Sequence, residues 1–400
     1  MSPMSQCLLA PWWRGDLIES LLADLIADER QRRLSDMPRP ARSGLAAEDI
    51  DALLGLDSID LLDIATAVSV RFGLHHHGLD PRLLAERRLG AWAEAVIEAR
   101  RRDDADIAFF TSGSTGRPKR CVHPMAALTR EVEHWAGLLD GRRRVLRAVP
   151  CHHIYGFLFG LMLPARLDLS VVDVRDGLPA GVLARAEPGD LLVAHPGFFA
   201  LAADLDGRCA EDVIAVTSTG QCPDFVWAAV AEAGIARMLE VYGSSECAGI
   251  GSRWSAHEPF ELLPWWVPQP GAAERLLRAD AEPCAAADRW AWLDRRRFCV
   301  HGRLDGAVQV AGENVFPGRV RDVLLSHPGV ADAAVRPFGA GIAVRLKAFV
   351  VPSDRGADHA ALHQRLVPWL TERLRPAERP RRIDYGAALP RTPAGKPTDW

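Results

Sequence analysis

With 400 residues, 48% of them apolar and 25% charged, the chain can fill two or three packed domains, which excludes a disordered chain or a small stapled scaffold. Its 52 acidic and 48 basic residues leave a net charge of −4, so no overall basic field draws it to nucleic acid or to an anionic membrane. The eight cysteines make no CxxC pair and no Cys/His spacing suited to zinc, and are read as reduced thiols.

The first residues lack the basic start and long apolar run of a secretory signal. The most apolar window, Ile154 to Ala165, falls well short of the roughly 20 residues a membrane span needs, so a cytoplasmic protein without a membrane span is expected. Residues 16 to 34 repeat apolar positions at three and four, the period of an amphipathic helix. A second helix is predicted from Ser58 to Phe72, with Asp57 and Ser58 as cap candidates and Gly73 as the stop, and a third from Leu83 to Arg100. Together they form a helical N-terminal unit, residues 1–104. From Ile107 short apolar runs alternate with helical segments, the signature of a parallel sheet with crossover helices. Strands are predicted at Ile107–Thr111, Val145–Val149, Ser170–Val174, Leu191–Ala194 and Val213–Ser218. Gly220, Gly243, Gly249 and Gly251 follow strand-like segments, where α/β folds place their ligand loops. From about Asp305 the order strand, loop, helix, strand, helix, strand marks a smaller α+β domain. The fold class is therefore α/β: a large ATP- and acyl-binding domain at 105–303, a small mobile domain at 304–400, and the helical unit in front. His75 to His77 are read as a solvated loop, and the basic stretch Arg373 to Arg382 as a solvated tail.

Lysine occurs only three times, at Lys119, Lys347 and Lys396, so the other 45 basic residues are arginine. A chain this poor in lysine should keep it where a compact point charge is needed. The first lysine closes TSGSTGRPKR, which follows the strand at Ile107–Thr111. Gly113 and Gly116 let the backbone turn its N–H groups toward an anion, while Thr111, Ser112, Ser114 and Thr115 supply hydroxyls and Lys119 a positive charge. That composition describes a phosphate loop, and its spacing is not the Walker A pattern.

This segment resembles the phosphate loop of the AMP-forming adenylating ligases: acyl-CoA synthetases, nonribosomal adenylation domains and luciferases. The family's other motifs follow in order. PCHHIYGF, 150 to 157, resembles the segment near the acyl pocket, with His153 at the gating position. STGQCPD, 218 to 224, resembles the loop lining the adenine and acyl sites, with Gly220 and Gln221 in it. VYGSSE, 241 to 246, resembles a motif whose residues would fall here as Tyr242 on adenine, Gly243 at the turn, Ser245 at the α-phosphate and Glu246 on magnesium. DRWAWLDRRRFCVHGRLDG, 288 to 306, is similar to the stretch running from a ribose-binding aspartate, Asp288, past Arg303 to a hinge, Asp305. AGENVFPG, from 311, resembles the loop after the hinge in aryl-acid CoA ligases, and LPRTPAGKPTDW resembles the closing motif whose lysine, Lys396, enters the site during adenylation. In LLGLDSIDLL, from 53, the Asp-Ser pair resembles an acyl-carrier helix and makes Ser58 a phosphopantetheine candidate; the same residues also read as a helix cap in a remnant of the ligase domain.

The resemblance spans Ile107 to Lys396 and implies an AMP-forming ligase. It would use ATP and Mg²⁺ to activate a small carboxylic acid, expected to be aromatic and hydroxybenzoate-like. The acyl group would pass to the phosphopantetheine thiol of an acyl carrier protein or of CoA. Lys396, Glu246, Ser245 and His153 would be its catalytic group. The closest likeness is to aryl-acid ligases of aryl-polyene pigment pathways. The chain departs from the family in length: members commonly carry over a hundred further residues ahead of the phosphate loop, and only 42 positions separate Glu246 from Asp288. A non-catalytic nucleotide-binding scaffold with a carrier-like docking module is the alternative, and retention of both Lys119 and Lys396 weighs against it.

Overall fold

The helical period read at 16 to 34 forms helix α1 (Gly15–Arg33) in a computed structural model. The described residues are 9–33, 50, 57–112, 118–220, 222–278, 281–285, 288–310, 313–339, 341–354, 356, 358–390 and 398–400. Helix α2 (Ser58–Phe72) has its expected bounds, and Asp57 alone makes the cap: its Oδ1 accepts from the N–H groups of Ile59 and Asp60, both at 2.8 Å, while Gly73 closes the helix at φ +70°. Ser58 is thus the first helical residue rather than the cap. The third expected helix is divided into α3 (Pro81–Ala85) and α4 (Leu89–Arg102) by an extended residue, Glu86. His75 to His77 form a short 3₁₀ turn.

Strand β1 (Asp106–Ser112) is where the alternation placed it but not in the parallel sheet: it pairs antiparallel with β2 (Pro118–Pro124), which begins beside Lys119. Helix α5 (Met125–Leu138) follows. The main sheet then begins with β3 (Arg144–Arg147). The apolar window too short for a membrane span is helical throughout, as α6 (Ile154–Phe157), a π-turn over Leu158–Met162 and α7 (Leu163–Leu167). The chain continues through β4 (Ser170–Asp173), α8 (Pro179–Leu183), β5 (Asp190–Ala194), α9 (Pro196–Asp204), β6 (Ile214–Thr217) and α10 (Asp224–Glu232). It then turns to β7 (Arg237–Ser244), β8 (Ala248–Arg253) and β9 (Phe260–Leu262). A separate three-stranded sheet holds β10 (Val267–Gln269), β11 (Ala272–Arg278) and β12 (Ala281–Ala285), before β13 (Asp288–Trp292) and β14 (Arg297–Arg303) rejoin the main one.

In that nine-stranded sheet, ordered β13-β14-β9-β8-β7-β6-β5-β3-β4, strands β4 to β7 and β3 run parallel and the other four antiparallel. Every residue of β5 is buried, as a parallel strand covered on both faces requires. Side chains alternate between two cores: Val145, Leu191, Val193 and Val216 face one, Leu146, Leu192 and Ala215 the other. The first core also takes in Trp13, Ile18, Leu22, Leu61, Phe72 and Trp92, so the N-terminal helices share one apolar interior with the sheet. Gly156 is fixed by this packing. A Cβ there would lie 1.9 Å from the Pro150 carbonyl oxygen, a backbone atom that cannot step aside. Gly156→Ala should lower unfolding stability by about 1–3 kcal/mol or more, read from chemical denaturation.

The small domain has more strands than the sequence suggested. A hairpin of β15 (Val308–Val310) and β16 (Glu313–Val315) precedes α11 (Pro317–Leu325). Then β17 (Val330–Phe338) pairs antiparallel with β18 (Arg345–Pro352), and α12 (His359–Arg373) leads to β19 (Arg382–Tyr385), parallel to β18. Lys347 is buried on β18, where its Nζ donates to the Trp400 carbonyl at 2.6 Å and pairs with Asp399 at 2.7 Å. This lysine therefore anchors Asp399 and Trp400. No helix among the described residues is long and apolar enough to cross a membrane.

Candidate active site

Right-handed crossovers leave the carboxyl ends of parallel strands open to ligands. Here those ends line a cavity of about 1140 Å³ that the small domain closes from the far side. His153 and Tyr155 come from beyond β3, Ser218 to Gly220 from beyond β6, Tyr242 to Glu246 from the end of β7 and the turn after it, Asp288 from β13 and Arg303 from β14. Three of the four glycines expected in loops lie inside strands: Gly243 in β7, Gly249 and Gly251 in β8. A Cβ at Gly243 would stand 2.4 Å from the Ala248 carbonyl oxygen, so the hairpin that projects Glu246 closes only over glycine.

Lys119, at the start of β2, and Glu246, at the β7–β8 turn, are 127 positions apart in sequence and meet at 3.0 Å. Partial burial opposes the ammonium charge, yet the carboxylate holds Lys119 above the ordinary lysine range. Beside them His123 meets the Ser245 carbonyl at 2.7 Å, and burial keeps its imidazole below the usual histidine range. Tyr242 donates its hydroxyl to Asp288 Oδ2 at 2.7 Å and accepts from Trp290 Nε1 at 2.9 Å, which fixes the ring edge against β13. Burial, and then the Asp288 charge, push that phenol well above the tyrosine range, so it stays protonated. Arg303 reaches Asp288 at 3.8 Å and grips Asp305 through a fork of 2.8 and 2.5 Å. Although burial disfavours its charge, that fork and the Ala307 N–H hold the Asp305 carboxyl below the usual range.

His153 is exposed at the cavity, next to the buried His152 with ring centroids 4.0 Å apart. Gly220 follows Thr219, which takes φ +79° after β6, and Gln309 of the small domain comes within 3.9 Å of where a Gly220 Cβ would be. Ser58 is exposed at the head of α2 and is not among the cavity's lining residues. Gly113, Ser114, Thr115, Gly116, Gln221 and Lys396 lie outside the described residues, and of Thr111 and Ser112 only the backbone strand is described.

The eight cysteines are not all thiols: Cys247 and Cys284 form a disulfide, with their Cα atoms 5.9 Å apart, tying the turn after Glu246 to β12. Spacing along the chain could not show this, because the pairing depends on the sheet folding back. Peptide mapping without reductant should recover the two cysteines in one cross-linked fragment; separate fragments would contradict the pairing.

Glu131 on α5 escaped notice in the sequence. Its neighbours Met125, Leu128, Val132 and Trp135 form the helix's apolar stripe, and a lone carboxylate on that stripe was the available signal. It is 2% exposed, and burial raises its carboxyl to about 7 despite donors from Trp135 Nε1 at 3.1 Å and Gly249 N–H at 3.0 Å. Between the ordinary carboxylate range and that value the folded chain holds more protons than the unfolded one, so this group makes stability fall as pH rises through the window. Glu131→Gln should flatten that part of a thermal-denaturation series run from pH 5 to 8.

Glu246 lines the cavity 3.0 Å from the Lys119 amine, and no group of three or more His, Cys, Asp or Glu that could hold a metal occurs among the described residues. This suits Mg²⁺, which binds through one or two carboxylates and phosphate and keeps its waters, and does not suit a dedicated all-protein metal cage.

Sequence and structure comparisons agree with this arrangement. The model of the AMP-binding enzyme family matches residues 51–284, and that of the AMP-binding enzyme C-terminal domain matches 320–396. The chain is 38% identical over 386 residues to a 4-coumarate–CoA ligase of Halorhodospira halophila, covering 95% of this chain and 97% of that protein. It is 36% identical over 394 residues to one of Rhodobacter capsulatus, covering 96% and 100%. The short architecture is thus shared with these relatives. Among solved structures, the amide bond synthetase McbA from Marinactinospora thermotolerans has the same fold, with TM-score 0.60 at 19% identity over 95% of this chain and 92% of that one. So does o-succinylbenzoate CoA synthetase from Bacillus subtilis, with TM-score 0.59 at 20% identity over 74% and 68%. With its two domains, its cavity at the strand ends and this degree of identity, the chain belongs to the AMP-binding enzyme family and is an AMP-forming acid–thiol ligase.

Proposed function

We propose that the protein joins a hydroxycinnamate-type aromatic acid, 4-coumarate or a near analogue, to CoA through an acyl-adenylate. The observation that carries this is the meeting in one cavity of Lys119 with Glu246 and of Tyr242 with Asp288, in a chain that matches proteins named 4-coumarate–CoA ligase over almost their whole length. A carboxylate is a poor acyl donor because its oxygen is a poor leaving group. In the first half-reaction the acid's oxygen attacks the α-phosphorus of ATP, the bond to the β-phosphate oxygen breaks, and pyrophosphate leaves. In the second a thiolate attacks the acyl carbon and AMP departs with that oxygen.

On this reading Tyr242 and Asp288 fix the nucleoside, the rigidity coming from the Tyr242–Asp288–Trp290 bonds. Arg303 shares Asp288 and Asp305, and so links the sugar end of the site to the small domain. Glu246 would hold Mg²⁺, which would neutralise phosphate charge, and the Lys119 amine would turn from Glu246 to the phosphates of the bound nucleotide. Lys119→Ala should raise KM for ATP by about tenfold or more with a smaller change in kcat, the cost of one charged hydrogen bond, measured by ATP titration at saturating acid.

Aromatic side chains support the substrate class: Phe110, Tyr155 and Phe159 line the cavity. The Tyr155 hydroxyl is satisfied by the carbonyls of Ala194 and Val216, both at 2.9 Å, leaving its ring as an apolar wall. The N-terminal helices we read as part of the ligase domain, since α2 buries Leu61, Ile64, Val68 and Phe72 in the interior it shares with the sheet. Ser58 then carries no pantetheine, and co-expression with a phosphopantetheinyl transferase should leave the intact mass unchanged. The function itself is tested with a panel of 4-coumarate, hydroxybenzoates and aliphatic acids, offered CoA or a carrier protein. The expected result is CoA thioester and AMP with the hydroxycinnamate foremost; preference for an aliphatic acid or for the carrier protein would overturn it.

A further inference from the structure

We infer that Glu131 is a specificity-determining residue: its carboxylate accepts the O–H of a hydroxyl on the end of the aromatic acid remote from the reacting carboxylate. The inference rests on the aromatic-acid reading above and narrows it to acids that carry a distal hydrogen-bond donor.

Four observations converge on this role. Glu131 lines the same cavity as Tyr242, Glu246 and Asp288, although it sits on the apolar stripe of α5. A buried carboxylate there costs stability, which argues that something besides packing retains it. Its two oxygens are aimed rather than loose, since Oε1 accepts from Trp135 and Oε2 from the Gly249 N–H. A carboxylate offers about four acceptor sites, and these two bonds fill two of them.

The backbone makes space for this group. A Cβ at Gly249 would stand 2.3 Å from Glu131 Oε1, so only glycine at that point of β8 lets the carboxylate lie against the strand. Gly249 is three residues beyond Glu246, a separation of at most about 10 Å along the chain, which matches the scale of one ring with a short side arm. An acid whose carboxylate lies by Glu246 would thus bring its far end toward Glu131. Phe159, which lines the cavity, packs on Trp135 and on Tyr155 with ring centroids 5.4 Å apart in each case, a surface suited to an aromatic ring. An acid lacking the hydroxyl leaves part of this buried carboxylate's acceptor capacity unfilled, although its bonds to Trp135 and Gly249 and the attraction of Arg278 remain, and sites built to bond a hydroxyl discriminate against acids that lack it.

The test compares kcat/KM for 4-coumarate, for cinnamate, which lacks the hydroxyl, and for 4-methoxycinnamate, which has the oxygen without its proton. The wild-type enzyme should favour 4-coumarate over both by about 10- to 100-fold. Glu131→Met should bring the 4-coumarate to cinnamate ratio to within about threefold of unity, and Glu131→Gln should lower it by at least about threefold. A merely structural role would depress both acids alike and keep the ratio, which would overturn the inference. The wild-type panel decides the matter even where a variant fails to fold. Equal use of the three acids by the wild type sinks this inference alone; absence of turnover with any aromatic acid sinks the proposed function, and this inference with it.

Discussion

Lys396→Ala should lower ATP–pyrophosphate exchange by about 10²- to 10³-fold, the usual loss when one preorganised charge at a developing anion is removed. The variant should still convert supplied acyl-adenylate to thioester at close to the wild-type rate. Lysine is scarce in this protein. Of three in the chain, Lys347 is committed to Trp400 and Asp399, and Lys119 faces Glu246. Lys396 is the third, and the resemblance of its segment to the closing motif is what makes it the lysine proposed to act at the α-phosphate. The residues described on either side of its segment, Pro390 and Thr398, are joined by a hydrogen bond of 3.1 Å. Equal loss of both half-reactions would contradict a role confined to adenylation.

Glu246→Gln keeps the shape of the side chain and removes its charge. The expected result is a drop in kcat/KM for ATP on the order of 10²-fold, partly restored by raising Mg²⁺. The Lys119 contact at 3.0 Å would weaken as well, but its exposed partners contribute little to folding, so the denaturation midpoint should hardly move. A variant with ordinary ATP kinetics would remove Glu246 from the phosphate site; one that unfolds would make the contact structural.

What the sequence made legible follows from range. The bounds of helix α2 were readable because its cap and its stop are local, Asp57 and Gly73, whereas its buried face, Leu61, Ile64 and Val68 with Ile59 and Leu62 left exposed, is set by what the helix packs against. Strands β3 to β6 were readable as short apolar runs for the same reason. The hairpin partner of β1 was not, because Pro118 to Pro124 holds two prolines, a lysine and a histidine, and becomes a strand only through pairing with β1. The family resemblance of their motifs brought Lys119, Tyr242, Glu246, Asp288, Arg303 and Asp305 into view as a set, and the fold places them around one cavity. The contacts that position them were hidden by distance in sequence: Trp290 to Tyr242, His123 to Ser245, Cys247 to Cys284 and Glu131 to Gly249. None of these pairs is local, and each depends on how β7, β8 and their neighbours are ordered in the sheet.

One isotope experiment reaches the chemistry itself. 4-Coumarate labelled with ¹⁸O in its carboxylate is turned over with ATP and CoA, and the nucleotide and phosphate products are weighed by mass spectrometry. Attack of the acid on the α-phosphorus requires one labelled oxygen in AMP and none in pyrophosphate. Label in inorganic phosphate, with ADP as the nucleotide product, would mean that the acid is activated at the other end of the triphosphate and that the cavity described here does different work.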